Sequence, residues 1–212
     1  MSRKCLIIVA LVWALSNFSA YGRGGTMRFA VSGGYINSLE SIRGDFDGGG
    51  TQYLSGNFGG VYFGAGIHAA PFGNSNFTLS AGLDFKHLSG LLHERSVREN
   101  YVFAPVRLGY SFGLLHFGLE NSLALELYAG PAFQYGLSPK TDGYDFYNPD
   151  GQLKSSRFNV LLGDGIRVAL NGRYVIDAGY DFGLSPRYDL EGDGYSYRWT
   201  TSNFHVGLAY RF

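Results

Sequence analysis

Phe77, Leu79, Ala81, Leu83 and Phe85 alternate without interruption with Thr78, Ser80, Gly82 and Asp84. A period of two puts every second side chain on the same face of an extended backbone. The stretch therefore predicts a strand with one apolar and one polar face. The pattern returns at the C-terminus, where Phe204, Val206, Leu208, Tyr210 and Phe212 alternate with Asn203, His205, Gly207, Ala209 and Arg211. Six further segments carry it, near 26–37, 56–70, 101–111, 122–137, 157–170 and 173–184, so the chain predicts eight strands. No helical stripe competes, apart from a short turn near 114–122. Gly, at 32 residues, is about twice its usual share, which also disfavours a helical protein.

The connections alternate as well. Long ones are expected at 38–55, 88–100, 138–155 and 185–198, and a short one at 70–76. Asn171-Gly172 predicts a two-residue type I′ hairpin turn. An even set of antiparallel strands, with long loops at one end and tight turns at the other, is the pattern of a transmembrane barrel. The expected fold is all-β, an eight-stranded antiparallel up-and-down transmembrane β-barrel. Its first, third, fifth and seventh connections are expected outside the cell.

Alternation alone does not say which face looks inward. Apolar faces of about nine to eleven residues match tilted membrane strands. The opposite faces are rich in Gly, Ser and Ala with single large residues, as a narrow lumen requires. Charges fall almost wholly on that second face: Arg28, Asp84, Lys86, Arg107, Glu126, Arg167, Arg173, Asp177, Asp181 and Arg211. These ten residues are the expected lumen charge network, salt-bridged around the axis because buried charges need partners. Tyr62, Tyr101, Phe103 and Tyr128 share their face and add bulk. A lumen of this kind predicts filling rather than a pore.

The N-terminus reads as an address. Arg3 and Lys4 precede an apolar run over 6–15, and Ala20-Tyr21-Gly22 offers a small-x-small cleavage site. Residues 1–22 are expected to be a signal peptide and 23–212 the barrel domain. Cys5 would leave with the leader, so no thiol chemistry is expected. Removing Arg3 and Lys4 leaves 15 basic and 17 acidic residues. That balance, with no basic block, argues against a nucleic-acid partner.

The segments Ala104-Pro-Val-Arg-Leu-Gly-Tyr110, Leu127-Tyr-Ala-Gly-Pro-Ala-Phe133, Gly163-Asp-Gly-Ile-Arg-Val168, Tyr180-Asp-Phe-Gly-Leu184 and Gly207-Leu-Ala-Tyr-Arg-Phe212 run in order along the chain. Together the sequence resembles the PorT-like outer-membrane β-barrel family of Bacteroidetes-type bacteria. That resemblance implies an eight-stranded outer-membrane barrel, and for some members a part in protein secretion. Asp164 departs from it, since the middle position of Gly163-Asp164-Gly165 is usually small or apolar. Phe204, Val206, Leu208, Tyr210 and Phe212 also resemble the C-terminal assembly signal read by the barrel-assembly machinery.

Catalytic and metal-binding patterns are sparse. His87-Leu88-Ser89 resembles the His-x-Ser pair of outer-membrane lipid A deacylases, with Glu94 or Glu99 near enough in sequence to complete a Ser-His-acid arrangement. The pair lies too early in the chain for that family. His68, His93, His116 and His205 have no metal-ligand spacing, and no cofactor is expected. The long connections hold Asp45, Asp47, Asp142, Asp145, Asp150, Asp189 and Asp193, with Tyr144, Tyr147, Tyr188, Tyr195 and Tyr197. They are solvated turns, or surfaces for a protein or glycan ligand.

The expected role is structural, anchoring or surface interaction in the outer membrane, in contact with its lipid. The alternatives are a lipid-modifying enzyme and a narrow solute channel. Asp164 is the single charge on an apolar face, in phase with Leu162 and Ile166. A single bulge would invert the phase after it, so none hides this residue. Gly163 and Gly165 are expected to leave space beside it for another backbone. Asp164 then is either paired, with a partner chain or with a neighbouring polar side chain, or is tolerated protonated or locally hydrated.

Overall fold

The computed structural model describes residues 26–212 except 47, 72–75, 93–94, 118–120, 138–139, 142–143, 146–153, 156 and 193–194. The expected leader over 1–22 lies outside the described residues, as do Glu94, Asp47, Asp142, Asp150, Asp193 and Tyr147. Eight strands form the wall: β1 (Thr26–Phe46), β2 (Gly50–Ala70), β3 (Phe77–Leu92), β4 (Arg95–Phe117), β5 (Asn121–Gly136), β6 (Phe158–Leu170), β7 (Tyr174–Gly183) and β8 (Tyr195–Arg211). Each pairs antiparallel with its neighbours in sequence, and β1 pairs with β8 from Ala30↔Arg211 to Phe46↔Tyr195. The sheet is therefore a closed barrel, with no free edge in its wall.

The faces follow the alternation. Phe29, Phe63, Leu83 and Leu208 point outward and are 60–66% exposed. Val61, Leu108, Leu127, Leu162, Ile166 and Ile176 lie on the same outer surface. A water-soluble barrel would turn such a continuous apolar surface inward. Lys86, Arg107, Glu126 and Asp181 are buried inside. This is the inside-out arrangement of a membrane β-barrel.

The strands are longer than expected at one end. The connections read as loops at 38–55, 88–100 and 185–198 are largely paired. β1 and β2 stay in register to Phe46↔Gly50, where Gly49 N donates to Phe46 O at 2.9 Å. β3 and β4 stay paired to Leu92↔Arg95, and a short strand, Tyr188–Gly192, pairs with the start of β8. Beyond the apolar belt the outer face of a strand meets water, and the buried inner face carries polar side chains such as Ser38, Glu40 and Glu99. The two-residue pattern fades there while the backbone hydrogen bonds continue.

In the fifth connection, between β5 and β6, Lys140–Thr141 pairs with Val97 and Arg98 of β4 and with Tyr144–Asp145. Lys154–Ser155 pairs with Tyr188 and Asp189.

The other end needs two corrections. Leu114–Phe117 is no helical turn but the end of β4, with a register shift between Gly113 and Leu115. At the β6–β7 turn, Asn171 and Gly172 have φ of 54° and 62°, and Arg173 N donates to Leu170 O at 3.0 Å. Those are the positive angles of a type I′ turn. The ladder resumes only at Leu170↔Tyr174, so the turn takes three residues rather than two.

Candidate functional site

The chemistry-bearing side chains gather in the lumen, in two groups separated by apolar residues. The lower group forms because inward positions of adjacent strands stand side by side in register. Glu126 of β5 pairs with Arg167 of β6, and Arg167 with Asp177 of β7. The Arg167 guanidinium thus bridges two carboxylates: Nη1 donates to Glu126 Oε1 and Nε to Asp177 Oδ2, both at 2.8 Å. Its guanidinium carbon stands 4.1 Å from the centre of the Tyr128 ring. Tyr128 donates to Asp177 Oδ1 at 2.7 Å. Glu126 also accepts from Arg211 at 3.3 Å.

Higher in the barrel, Arg107 donates to Asp181 and to the Gly130 carbonyl. Lys86 Nζ is 4.0 Å from Asp181 Oδ2 and 3.1 Å from the centre of the Phe103 ring. His205 lies between the carboxylates, its Nε2 3.5 Å from Asp177 and its Nδ1 3.7 Å from Asp181. The result is a continuous network of alternating sign, in which each buried charge meets an opposite one.

A cavity of about 110 Å³ remains beside this network, lined by Tyr62, His68, Asp84, Lys86 and Arg167 among others. His68 Nδ1, Lys86 Nζ and Asp181 Oδ2 have no hydrogen-bond partner in the described residues. A cavity of this size and polarity suits water.

Above the cavity, Ile36, Phe58, Tyr62, Leu88, Val97 and Tyr101 pack into one buried cluster across the barrel. A second polar group sits over it. Arg187, 1% exposed, donates through Nη1 and Nη2 to the two oxygens of Glu99 at 2.9 and 2.5 Å. Its Nη1 also reaches Glu40 Oε1 at 3.5 Å. Trp199 Nε1 and Thr201 Oγ1 each donate to Glu40 Oε2 at 2.5 Å, and Ser38 to Oε1 at 2.8 Å. Tyr101 donates its hydroxyl to Glu99. Arg187 belongs to no barrel strand. It enters from the segment between β7 and the Tyr188–Gly192 strand, and so ties that segment to β1, β4 and β8. A bidentate Arg–carboxylate pair is the strongest tie of this kind.

Most of the expected network assembles. Lys86, Arg107, Glu126, Arg167, Asp177, Asp181 and Arg211 form it, and Asp84 lines the same cavity. Arg28 lies at the edge and donates to the Gly172 carbonyl at 2.7 Å. Arg173 does not join: as the additional residue of the β6–β7 turn it is exposed outside the lumen. The alternation passed over His68 and His205, though both stand on inward positions. It also passed over the Glu40–Glu99–Arg187 group. Glu40 and Glu99 are in phase with Ile36 and Tyr101, but lie where the strands had been read as loop. Arg187 carries no periodic signal at all.

Among the described residues the His-x-Ser pair meets no acid. His87 and Ser89 face outward, and His87 Nδ1 lies 2.8 Å from Asn100 Oδ1. Glu99 points the other way, into the barrel, to Arg187. Among the described residues no group of His, Cys, Asp and Glu could hold a metal ion. Phe204, Val206, Leu208, Tyr210 and Phe212 all lie on the outer face, with Phe212 67% exposed and its N–H bonded to Phe29 O at 2.8 Å.

Past the belt, Arg43, Tyr53, Arg98 and Arg198 are exposed on the outer faces of the hairpins. Arg43 Nε lies 3.0 Å from Asp45 Oδ2, a contact that holds the guanidinium above its usual range. The Thr51 hydroxyl and the Arg43 side chain lower the Asp45 carboxyl.

Asp164 is exposed on the outer face, opposite Ala129 and Tyr180. The space expected beside its glycines is absent. Both face the lumen, where a Cβ at Gly163 would meet Asp181 and Arg107, and one at Gly165 would meet Tyr128 and the Ala178 carbonyl. Those glycines serve the lumen contents, not an external backbone.

No family model and no curated protein matches the chain. Among solved structures it is similar to the outer membrane protein OprG from Pseudomonas aeruginosa, at 9% identity and a TM-score of 0.46, covering 91% of this chain and 98% of that one. Neisserial surface protein A is similar at 14% identity and a TM-score of 0.39, covering 87% and 97%. The attachment invasion locus protein Ail of Yersinia pestis is similar at 14% identity and a TM-score of 0.35, covering 85% and 98%.

Proposed function

We propose that the chain is a non-conducting outer-membrane barrel that serves as an anchor and presents its extended hairpins as an interaction surface. The observation that carries this reading is the filled lumen. Lys86, Arg107, Arg167 and Arg211 stand against Asp84, Glu126, Asp177 and Asp181, so the fixed charges of the network balance. The apolar cluster around Ile36 and Phe58 and the Arg187 group close the bore above it. An eight-stranded barrel has an interior just wide enough for such filling. The apolar outer belt and the exported-type leader support the outer membrane as its location.

The working surface is then outside the bore. Paired hairpins hold Arg43, Tyr53, Arg98 and Arg198 in fixed positions above the belt, where a protein or glycan could be met at little ordering cost. A secretion-associated role is in keeping with the PorT-like resemblance. Recognition of the terminal Phe204–Phe212 pattern by the barrel-assembly machinery would insert the chain.

Two measurements test the reading. Density-gradient fractionation should recover the protein with outer-membrane markers. Purified barrel reconstituted in a planar bilayer should give no steady ion conductance. A stable conductance that changes in Glu126→Ala would replace this reading with that of a channel.

A further inference from the structure

Asp164 lies midway along β6, at the centre of the apolar belt. Leu162 and Ile166, in phase on either side, are each 47% exposed. No hydrogen bond or ion pair from the described residues reaches its carboxylate. An ionisable side chain at this depth in a bilayer is costly to keep, and by default marks a functional contact. On the β5 side the surface is low, with Ala129 and Pro131 exposed. On the β7 side the register partner of Asp164 is Tyr180, with Ala178 one outward position away. Small side chains at such a place let a neighbouring membrane segment approach closely.

The chemistry of the occupant follows from charge. Buried in a low-dielectric contact, a carboxylate is best satisfied by a cation that donates to it. Among the described residues, a second copy of this chain offers none at that depth. Lys86, Arg107, Arg167 and Arg211 all point into the lumen, and Arg98 is exposed only above the belt. Two Asp164 side chains brought together would repel. We infer that the outer face of β5–β7 around Asp164 docks a membrane-embedded segment of a different protein, with a Lys or Arg at the depth of Asp164. This inference rests on the reading of the belt as lipid-facing.

Photo-crosslinking in intact cells tests it, with benzoylphenylalanine at Ala129 and, as a control on the far side of the barrel, at Leu83. The Ala129 position should yield a discrete protein adduct that the Leu83 position does not. Mass spectrometry should map the crosslinked peptide to an apolar segment bearing Lys or Arg. The adduct should fall about tenfold, the equivalent of about 1.4 kcal/mol, in Asp164→Asn and persist in Asp164→Glu. Asp164→Leu, which suits lipid and should fold at least as well, should lose it too. Heat-modifiable migration on gels confirms that each variant is folded.

Lipid adducts alone at both positions would overturn the inference while leaving the membrane reading intact. An adduct of twice the chain's mass, or one that survives Asp164→Asn, would overturn it as well. Absence of lipid adducts at both positions, with the protein recovered in the soluble fraction, would overturn both.

Discussion

Arg167 and Asp177 face each other across the β6–β7 hairpin as register partners, with Nε and Oδ2 2.8 Å apart. The same guanidinium reaches Glu126 on the other side, so three neighbouring strands are tied by one side chain. Removing the cation would leave two carboxylates in a closed interior. Arg167→Ala should destabilise the barrel by about 3–5 kcal/mol, the range for breaking a buried pair from one side. Urea unfolding in detergent micelles, followed by tryptophan fluorescence, reads this directly. Arg43→Ala, which loses only an exposed contact, should leave the midpoint unchanged. Equal midpoints for the two variants would mean that the network adds nothing to stability.

Arg187 should matter for the mouth rather than for the wall. It joins the segment before Tyr188–Gly192 to Glu40 and Glu99, above the apolar cluster that closes the bore. Arg187→Ala should loosen the Tyr188–Gly192 strand and open the start of β8 to trypsin at Arg198, while β1–β6 remain protected in detergent. Fragment masses after timed digestion report the outcome. Digestion no faster than in the parent protein would show that the Arg187 ties do not hold the hairpin.

Gly165 is constrained by the lumen. A methyl group there would meet the Ala178 carbonyl and the Tyr128 hydroxyl, and the backbone oxygen cannot withdraw. Gly165→Ala should cost about 1–3 kcal/mol through overpacking. Gly113, with open space around its missing Cβ, should accept Ala without loss of stability. Parallel unfolding curves compare them, and a loss at Gly113 equal to that at Gly165 would contradict the packing argument.

Phe212 and Phe158 both face outward, but only Phe212 ends the alternating C-terminal pattern. Deleting Phe212 should reduce the amount of folded protein in the outer membrane far more than Phe158→Ala does. Quantitative blotting of heat-modifiable protein in membrane fractions makes the comparison. Similar losses would mark Phe212 as ordinary belt surface.

Much of the lumen is legible in the sequence, because alternation and charge carry the same information. Lys86, Arg107, Glu126 and Asp181 all stand on the polar parity of apolar strands, and all four are buried inside. Arg173 shows where that reasoning stops. Its parity matches Val175 and Asp177, yet one additional turn residue holds it outside. Parity describes a side chain only while the ladder runs. The Glu40–Glu99–Arg187 group was missed for a related reason. It lies beyond the belt, where the outer face meets water and the buried inner face is itself polar, so apolar alternation no longer marks the strand.

The strands, their inward and outward faces and their even number were legible in the chain alone, while closure is seen in the pairing of β1 with β8. Those follow from a local rule: in an extended chain each side chain takes the opposite side from the last, and lipid and lumen accept different chemistry. Which charges meet was decided only in three dimensions. Arg107 reaches Asp181 across the bore, and Arg187 reaches Glu40 and Glu99 from strands that its own segment does not adjoin. Such contacts depend on strand stagger, barrel closure and side-chain reach. No period in the chain encodes the distance between two residues on opposite walls.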